Sequence, residues 1–220
     1  MAVAVETCWT LIRDATAGIE ADRERFVRLY EPVVRAYLAR RWRDGSAAVD
    51  IADATQDVFL ALLQPGGALD KFDGAQGSGF RAYLFGIVRN VALRYDAKRR
   101  PVAALPADVV DDETGLAEAF DRAWAKSIVR EAARVQEAIA TAQGSRAMRR
   151  VELLKLRFHE GLPIREIAVK WKTDAAALHH EYAVARDEFR VALRVVVALN
   201  HPGASDSQLD RFCIDILNLL

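Results

Sequence analysis

Asn90, Arg94 and Lys98 recur every four residues and so share one side of a helix. Arg99 and Arg100 add charge in its last turns, and Pro101 stops it. A row of cations with one amide on it suits a polyanion whose bases are read as well as its backbone held. The same pattern fits an ordinary amphipathic helix with a solvated basic end. The element that must carry the row is FRAYLFGIVRNVALRYDAKRR. In it, Phe80, Tyr83, Leu84, Ile87, Val88, Val91 and Tyr95 fall at the three- and four-residue spacing of a buried face.

Two further groups have the types and spacing of contact residues. Asp53, Gln56, Asp57 and Gln64 lie on the outward side of IADATQDVFLALLQ, a helix that Asp50 is placed to cap. Its core positions are Ile51, Ala54, Val58 and Leu62, with Phe59 at their margin; alone, the outward side reads as a polar face. Later, Pro163 opens a short helix containing Ile164, Ile167, Ala168 and Trp171. Lys172-Thr173-Asp174 then makes a tight turn, and Asp174 caps a helix over about 175–197 built on Leu178, Tyr182, Ala185, Phe189 and Leu193. A short helix, a three-residue turn and a longer helix have the spacing of a helix-turn-helix, whose second helix can enter a major groove.

The remaining elements are those needed to hold these three in place. Residues 6–17 suit a short helix, and Asp22 to about Trp42 a longer one that Pro32 would kink or split. The Gly-rich stretch 68–79 lacks the Gly-Lys-Ser/Thr of a phosphate cradle and reads as a mobile connection. Helical pattern returns over about 116–141 and 147–159, separated by Gly144-Ser145. After Pro202-Gly203, Ser205 begins DSQLDRFCIDILNLL, whose large apolar residues must pack on one of the domains or on a partner.

Apolar content of 52% with 28% charge, few Gly and Pro, and no alternating β-branched run indicate a soluble all-α chain. Its net charge of zero hides a partition. Residues 1–100 carry 15 Lys/Arg against 13 Asp/Glu, 101–118 none against 5, 119–197 carry 15 against 10, and 198–220 carry 1 against 3. Two mildly basic blocks are thus offset by an acidic connector and tail, and for a groove-binding protein the location of charge outweighs its sum. The expected organisation is a domain over 1–100, a linker over 101–118, a second domain over 119–197 and a terminal extension over 198–220. Cys8 and Cys213, at opposite ends, are expected to be reduced thiols, with no secretion signal and no membrane span. His159, His179, His180, His201 and Cys213 do not make a metal site, since adjacent His179 and His180 point to different sides of a helix. No nucleophile elbow, zinc-protease motif, dinucleotide fingerprint or kinase set is present, so the expected function is not enzymatic and uses no cofactor.

Taken together, these pieces resemble a bacterial RNA polymerase sigma factor of the extracytoplasmic-function (ECF) subfamily. DATQDVFLALL is similar to the family's core-binding segment, commonly Asp-x-x-Gln-Glu/Asp-x-Phe. FRAYLFGIVRNVALRYDAKRR resembles its melting and −10-recognition helix, and LKLRFHEGLPIREIA with the helix-turn-helix resembles its −35-recognition domain. The three occur in the family's order over about residues 20–195. The resemblance implies a sigma region 2-like bundle and a region 4-like helix-turn-helix domain, joined by an acidic linker and followed by an amphipathic helix. It implies a cytoplasmic protein that binds core RNA polymerase and promoter DNA, with room for an anti-sigma factor or other regulatory protein. Asp53, Gln56, Asp57 and Phe59 would contact the polymerase. Phe80, Tyr83, Arg89, Asn90, Arg94, Lys98 and Arg99 would surround the −10 element, where an aromatic and an amide beside cations can hold an unstacked base. Arg165, Lys170, Lys172, Ala177, His179, His180 and Arg186 would face the −35 element.

Three departures stand out. Tyr83 replaces a frequent Trp, which leaves a structural role open to it. Lys172 stands where the turn usually has Gly. The outward side of the recognition helix is poor in cations and carries Glu181, near phosphates or a cytosine amino group. A sigma-fold interaction protein that has lost −35 reading is therefore the alternative.

Overall fold

The computed structural model describes residues 20–43, 48–72, 79–99, 113–201 and 203–220, excluding the side chains of residues 48, 49 and 99. The expected helix over 6–17, Cys8, Arg100, residues 73–78 of the Gly-rich connection and residues 101–112 of the expected linker lie outside them. The described residues are all-helical. In chain order they form α1 (Glu20–Arg41), α2 (Ala48–Leu63), a 3-10 turn (Leu69–Lys71), α3 (Gly79–Arg99) and α4 (Glu113–Gln143). Then come α5 (Ser145–Phe158), α6 (Ile164–Trp171), α7 (Ala175–Asn200) and α8 (Asp206–Asn218). None of these helices is long and apolar enough to cross a membrane.

Two compact units result, Met1–Ile128 with Ala198–Leu220, and Val129–Val197. This partition differs from the expected boundaries at both ends of the second domain. Residues 113–118, expected in the linker, already belong to α4, and residues 198–220 belong to the first unit. The reason is aromatic. Leu116, Phe120, Trp124 and Ile128 are buried in the first unit, with Trp124 stacked on Tyr30 at 5.2 Å and Phe120 edge-on to Phe85 at 5.2 Å. A linker read from charge and proline could not reveal that the next helix completes the preceding core.

The rest of that core comes from α1, α2 and α3. Phe26, Tyr30, Val33, Val34, Tyr37 and Leu38 of α1 are fully or almost fully buried, and this stripe carries the helix through Pro32 without a break. Phe26 meets Tyr30 at 4.8 Å and Phe80 at 5.8 Å in edge-on arrangements, the preferred geometry of aromatic pairs. The hydroxyl of buried Tyr30 donates to Asn200 Oδ1 at 3.1 Å, so its polar end is satisfied from the chain's last segment. In that segment Ser205 precedes α8 and its N–H donates to Gln208 Oε1 at 2.8 Å, while Leu209, Cys213 and Ile216 are buried.

Asp50 lies inside the first turn of α2 rather than at its cap, since α2 begins at Ala48. Its charge still complements the helix dipole there. Part of the stretch expected as loop is ordered: Leu69 and Phe72 are buried, and Asp70 accepts a bond of 2.7 Å from the Gly66 N–H.

The second unit packs the end of α4, α5, α6 and α7 around Leu153, Leu156, Ile164, Ile167, Ala168 and Leu178. Gly144 separates α4 from α5 at φ 102°, a left-handed backbone that glycine adopts without strain. The buried amide of Gln136 donates to the Ala185 carbonyl at 3.1 Å, tying α4 to α7.

Candidate functional site

The outward face of α2 is built by alternation with its core face. Ala54, Val58, Phe59 and Leu62 turn inward, leaving Asp53 and Gln56 exposed and Asp57 half-buried. Phe59, expected as a contact residue, is buried and meets Phe26 at 6.3 Å; it supports the face rather than forming it. In its place Leu60, one residue on, is 54% exposed on the same side as Asp53, Gln56 and Asp57. The sequence reading passed over Leu60, although it lies four residues past Gln56 and so directly above it.

The expected base-reading residues of α3 divide into three groups. Phe80 is only 3% exposed, enclosed by Phe26, Tyr30, Phe72 and Trp124. No nucleic-acid base can reach it, and its place is the one its apolar spacing implies. Tyr83 is half-buried: its ring stacks on Phe72 at 4.8 Å and its hydroxyl donates to the Ala68 carbonyl at 2.6 Å. Burial raises the pKa of this phenol, which stays a neutral donor holding the preceding turn against α3. Arg89 is half-buried and bonds Glu113 Oε1 at 2.6 Å, just as Arg81 pairs with Asp121 through Nε at 2.8 Å. Asn90, Arg94 and Lys98 are exposed and line up as their spacing requires. Arg99 lies in α3, with its side chain outside the described set.

In the second unit a short helix, a three-residue turn and a longer helix follow one another as expected, the longer one running to Asn200, three residues past its expected end. Lys172 has φ 51° and ψ 47°, the one side-chain-bearing residue in left-handed backbone among the described residues. This is the conformation that a glycine would accept freely. Asp174 Oδ2 accepts the Ala177 N–H at 2.8 Å and so caps α7. Arg165, Lys170, Lys172, Ala177, His179, His180 and Arg186 are all exposed. Lys170 is 3.8 Å from Glu160, and the Arg186 guanidinium lies 5.8 Å from the Tyr182 ring centre.

Glu181 is not a free acceptor for a base. It bonds Arg146 at 2.6 Å and lies 3.5 Å from Arg150, which also forks onto Glu188 at 2.5 Å. The Arg146 bond holds the Glu181 carboxyl below its ordinary pKa, against the opposing effect of partial burial. Arg146, Arg150 and Glu181 line a groove of about 520 Å³ with Arg149, Trp171, Thr173 and His180. The Arg149 guanidinium stacks over Trp171 at 4.7 Å and meets no carboxylate among the described residues. Cations missing from the outward side of α7 are thus supplied by α5. Their signal in RAMRRVELLKLRF is the three-and-four spacing of Arg146, Arg149 and Arg150.

No curated protein and no solved structure matches the chain. A family model does match about a third of it, from Phe26 in α1 to just past the end of α3. The chain contains a Sigma-70 region 2 domain at residues 26–101.

Proposed function

We propose that this protein is a sigma factor of the ECF subfamily that docks on core RNA polymerase and directs promoter recognition and opening. The observation that carries the reading is the coincidence of the region 2 match with two outward faces inside it. Asp53, Gln56, Asp57 and Leu60 on α2 offer polymerase an acidic surface with an apolar centre. Asn90, Arg94 and Lys98 on α3 offer the −10 element an amide between cations, with Arg89 and Arg99 beside them. Phosphate contacts give such a surface its affinity and the amide gives it a base to read. The helix-turn-helix extends the contact to a −35 element, where Arg165, Lys170, Lys172 and Arg186 hold phosphates and Ala177, His179 and His180 face bases. The protein then works in the cytoplasm, with no cofactor and no chemistry of its own.

Reconstituted holoenzyme tests this by run-off transcription from genomic fragments bound during overexpression. The chain should co-purify with core polymerase, and alanine at Asp53, Gln56 or Leu60 should weaken that association. Asn90→Ala should lower initiation without lowering association. Initiation equal to the parent with Asn90→Ala would remove the base-reading assignment, and no initiation by the parent chain would remove the sigma reading. Neutralisation of two α5 arginines by Glu181 and Glu188 favours a second reading, in which the second unit contacts protein and no longer reads −35 sequence.

A further inference from the structure

The C-terminal ends of α1 and α3 meet the middle of α2 at Tyr95, a residue whose spacing marks it only as part of an apolar face. Its hydroxyl crosses to α2 and donates to Asp57 Oδ2 at 2.9 Å. Trp42 packs against its ring at 5.7 Å, and the Lys98 ammonium lies 5.6 Å from the ring centre. The next residue, Asp96, is clamped from α1: Arg41 Nε reaches one oxygen and Trp42 Nε1 the other, each at 2.7 Å. The Arg41 side chain is 9% exposed, so this clamp is sheltered from solvent. The last turns of α3 are therefore fixed to α1, and the phenol is presented to α2 from a rigid mount.

Asp57 bonds to the phenol, and Asp53 and Asp50 reach it through their field. With burial as the largest cause, they push the Tyr95 pKa up to about 12. Near neutral pH the group is a permanent donor. A carboxylate with one oxygen tied to a fixed donor keeps the other oriented for a cation arriving from outside. An untethered one must be ordered when the partner binds, which weakens binding.

We propose that Tyr95 is a positioning residue for polymerase docking: its hydroxyl sets the Asp57 carboxylate toward a cation of the enzyme and ties the docking face of α2 to the DNA-facing end of α3. The proposal rests on the reading of α2 as the polymerase face. It makes the free chain preorganised at one point, where the two working surfaces share a hydrogen bond. Capture of Asp57 by polymerase acts on the same phenol that carries Lys98.

The test is a double-substitution cycle in the full chain. Tyr95→Phe keeps the ring with its Trp42 and Lys98 contacts and removes only the hydroxyl. Affinity for core polymerase, read by anisotropy of the labelled chain, should fall about three- to tenfold, the net effect of one ordinary hydrogen bond. Asp57→Ala should also weaken docking, and adding Tyr95→Phe to it should cost nothing more, because the bond is already gone. Ser127→Ala, which removes the hydroxyl bonded to the Leu29 carbonyl in the same unit, serves as the control for general loosening. It should lower the melting temperature and leave docking unchanged. Equal losses from Tyr95→Phe in both backgrounds, no loss in either, or an equal loss from Ser127→Ala would each overturn the proposal. Thermal melts of the same four chains without polymerase should show the Tyr95–Asp57 coupling too, and strict additivity there would remove the bond itself. A parent chain with no affinity for polymerase, but with that coupling intact, would overturn the docking role and the sigma reading together.

Discussion

Lys172 holds a backbone conformation that ordinary residues avoid, which makes it a clean place to test the account of the helix-turn-helix. At φ 51° and ψ 47° a residue with a Cβ carries a penalty of about 1–2 kcal/mol. Glycine removes the penalty but enlarges the freedom of the unfolded chain, an offset of about 0.4–1 kcal/mol. Lys172→Gly should therefore stabilise the second unit by about 0.5–1 kcal/mol. For a unit of the size of Val129–Val197, 1 kcal/mol corresponds to about 4–8 °C, so its transition should rise by about 2–8 °C. Lys172→Ala is the matched comparison. It removes the same charge and leaves the strain, while the Lys172 N–H bond to the Val169 carbonyl is available in both. Scanning calorimetry of the full chain should thus show the glycine variant melting above both parent and alanine variant. Identical melting of the glycine and alanine variants would refute the strain argument. Both variants lose a cation beside the start of α7, so both should reduce the salt slope of duplex binding by about one if Lys172 meets a phosphate.

Phe80→Ala should destabilise the first unit by about 3–5 kcal/mol, because it empties the middle of an aromatic cluster, whereas Asn90→Ala should stay within about 0.5 kcal/mol of the parent; urea titration of both separates the buried residue from the exposed one. Glu181→Gln should steepen the salt dependence of duplex binding by freeing Arg146, while Arg150 keeps Glu188. The Glu181 carboxyl has a folded pKa below its ordinary 4.5, so its contribution to stability is full above that value and is lost as pH falls through the lower one. Parent and Glu181→Gln should accordingly melt further apart at pH 7 than in acid, and a gap that stays constant on acidification would contradict the ion pair.

Periodicity made the helices legible because each buries one continuous stripe: Phe26 to Leu38 on α1, Leu153 and Leu156 on α5, Ile164 to Ala168 on α6. It left the site half-legible for the same reason. Family position put Phe59 and Phe80 among the contacts, but both lie on the stripe, and the three-dimensional core claims them. Leu60 and Arg149 went unnoticed because exposure of one apolar residue, or stacking of one arginine on a distant tryptophan, leaves no mark in local spacing. The Glu181–Arg146 pairing joins residues 35 apart in sequence, so charge counting saw a lone acid on the expected recognition helix where the fold makes a neutralised one. The start of α4 at Glu113, inside the stretch expected as linker, has the same origin. Acids and prolines signal where chain is extended, not which side of the gap the next helix will pack against.

The bond from Tyr30 to Asn200 spans 170 positions and joins two stretches of the first unit that are far apart in sequence. During synthesis this bond cannot form until residue 200 has been made, long after α1 has left the ribosome. Val129–Val197, whose contacts are nearer in sequence, can be finished earlier. Released chains that end at residue 197 should therefore display a protease-resistant middle and a more vulnerable beginning, the reverse of the usual order in which amino-terminal domains mature first.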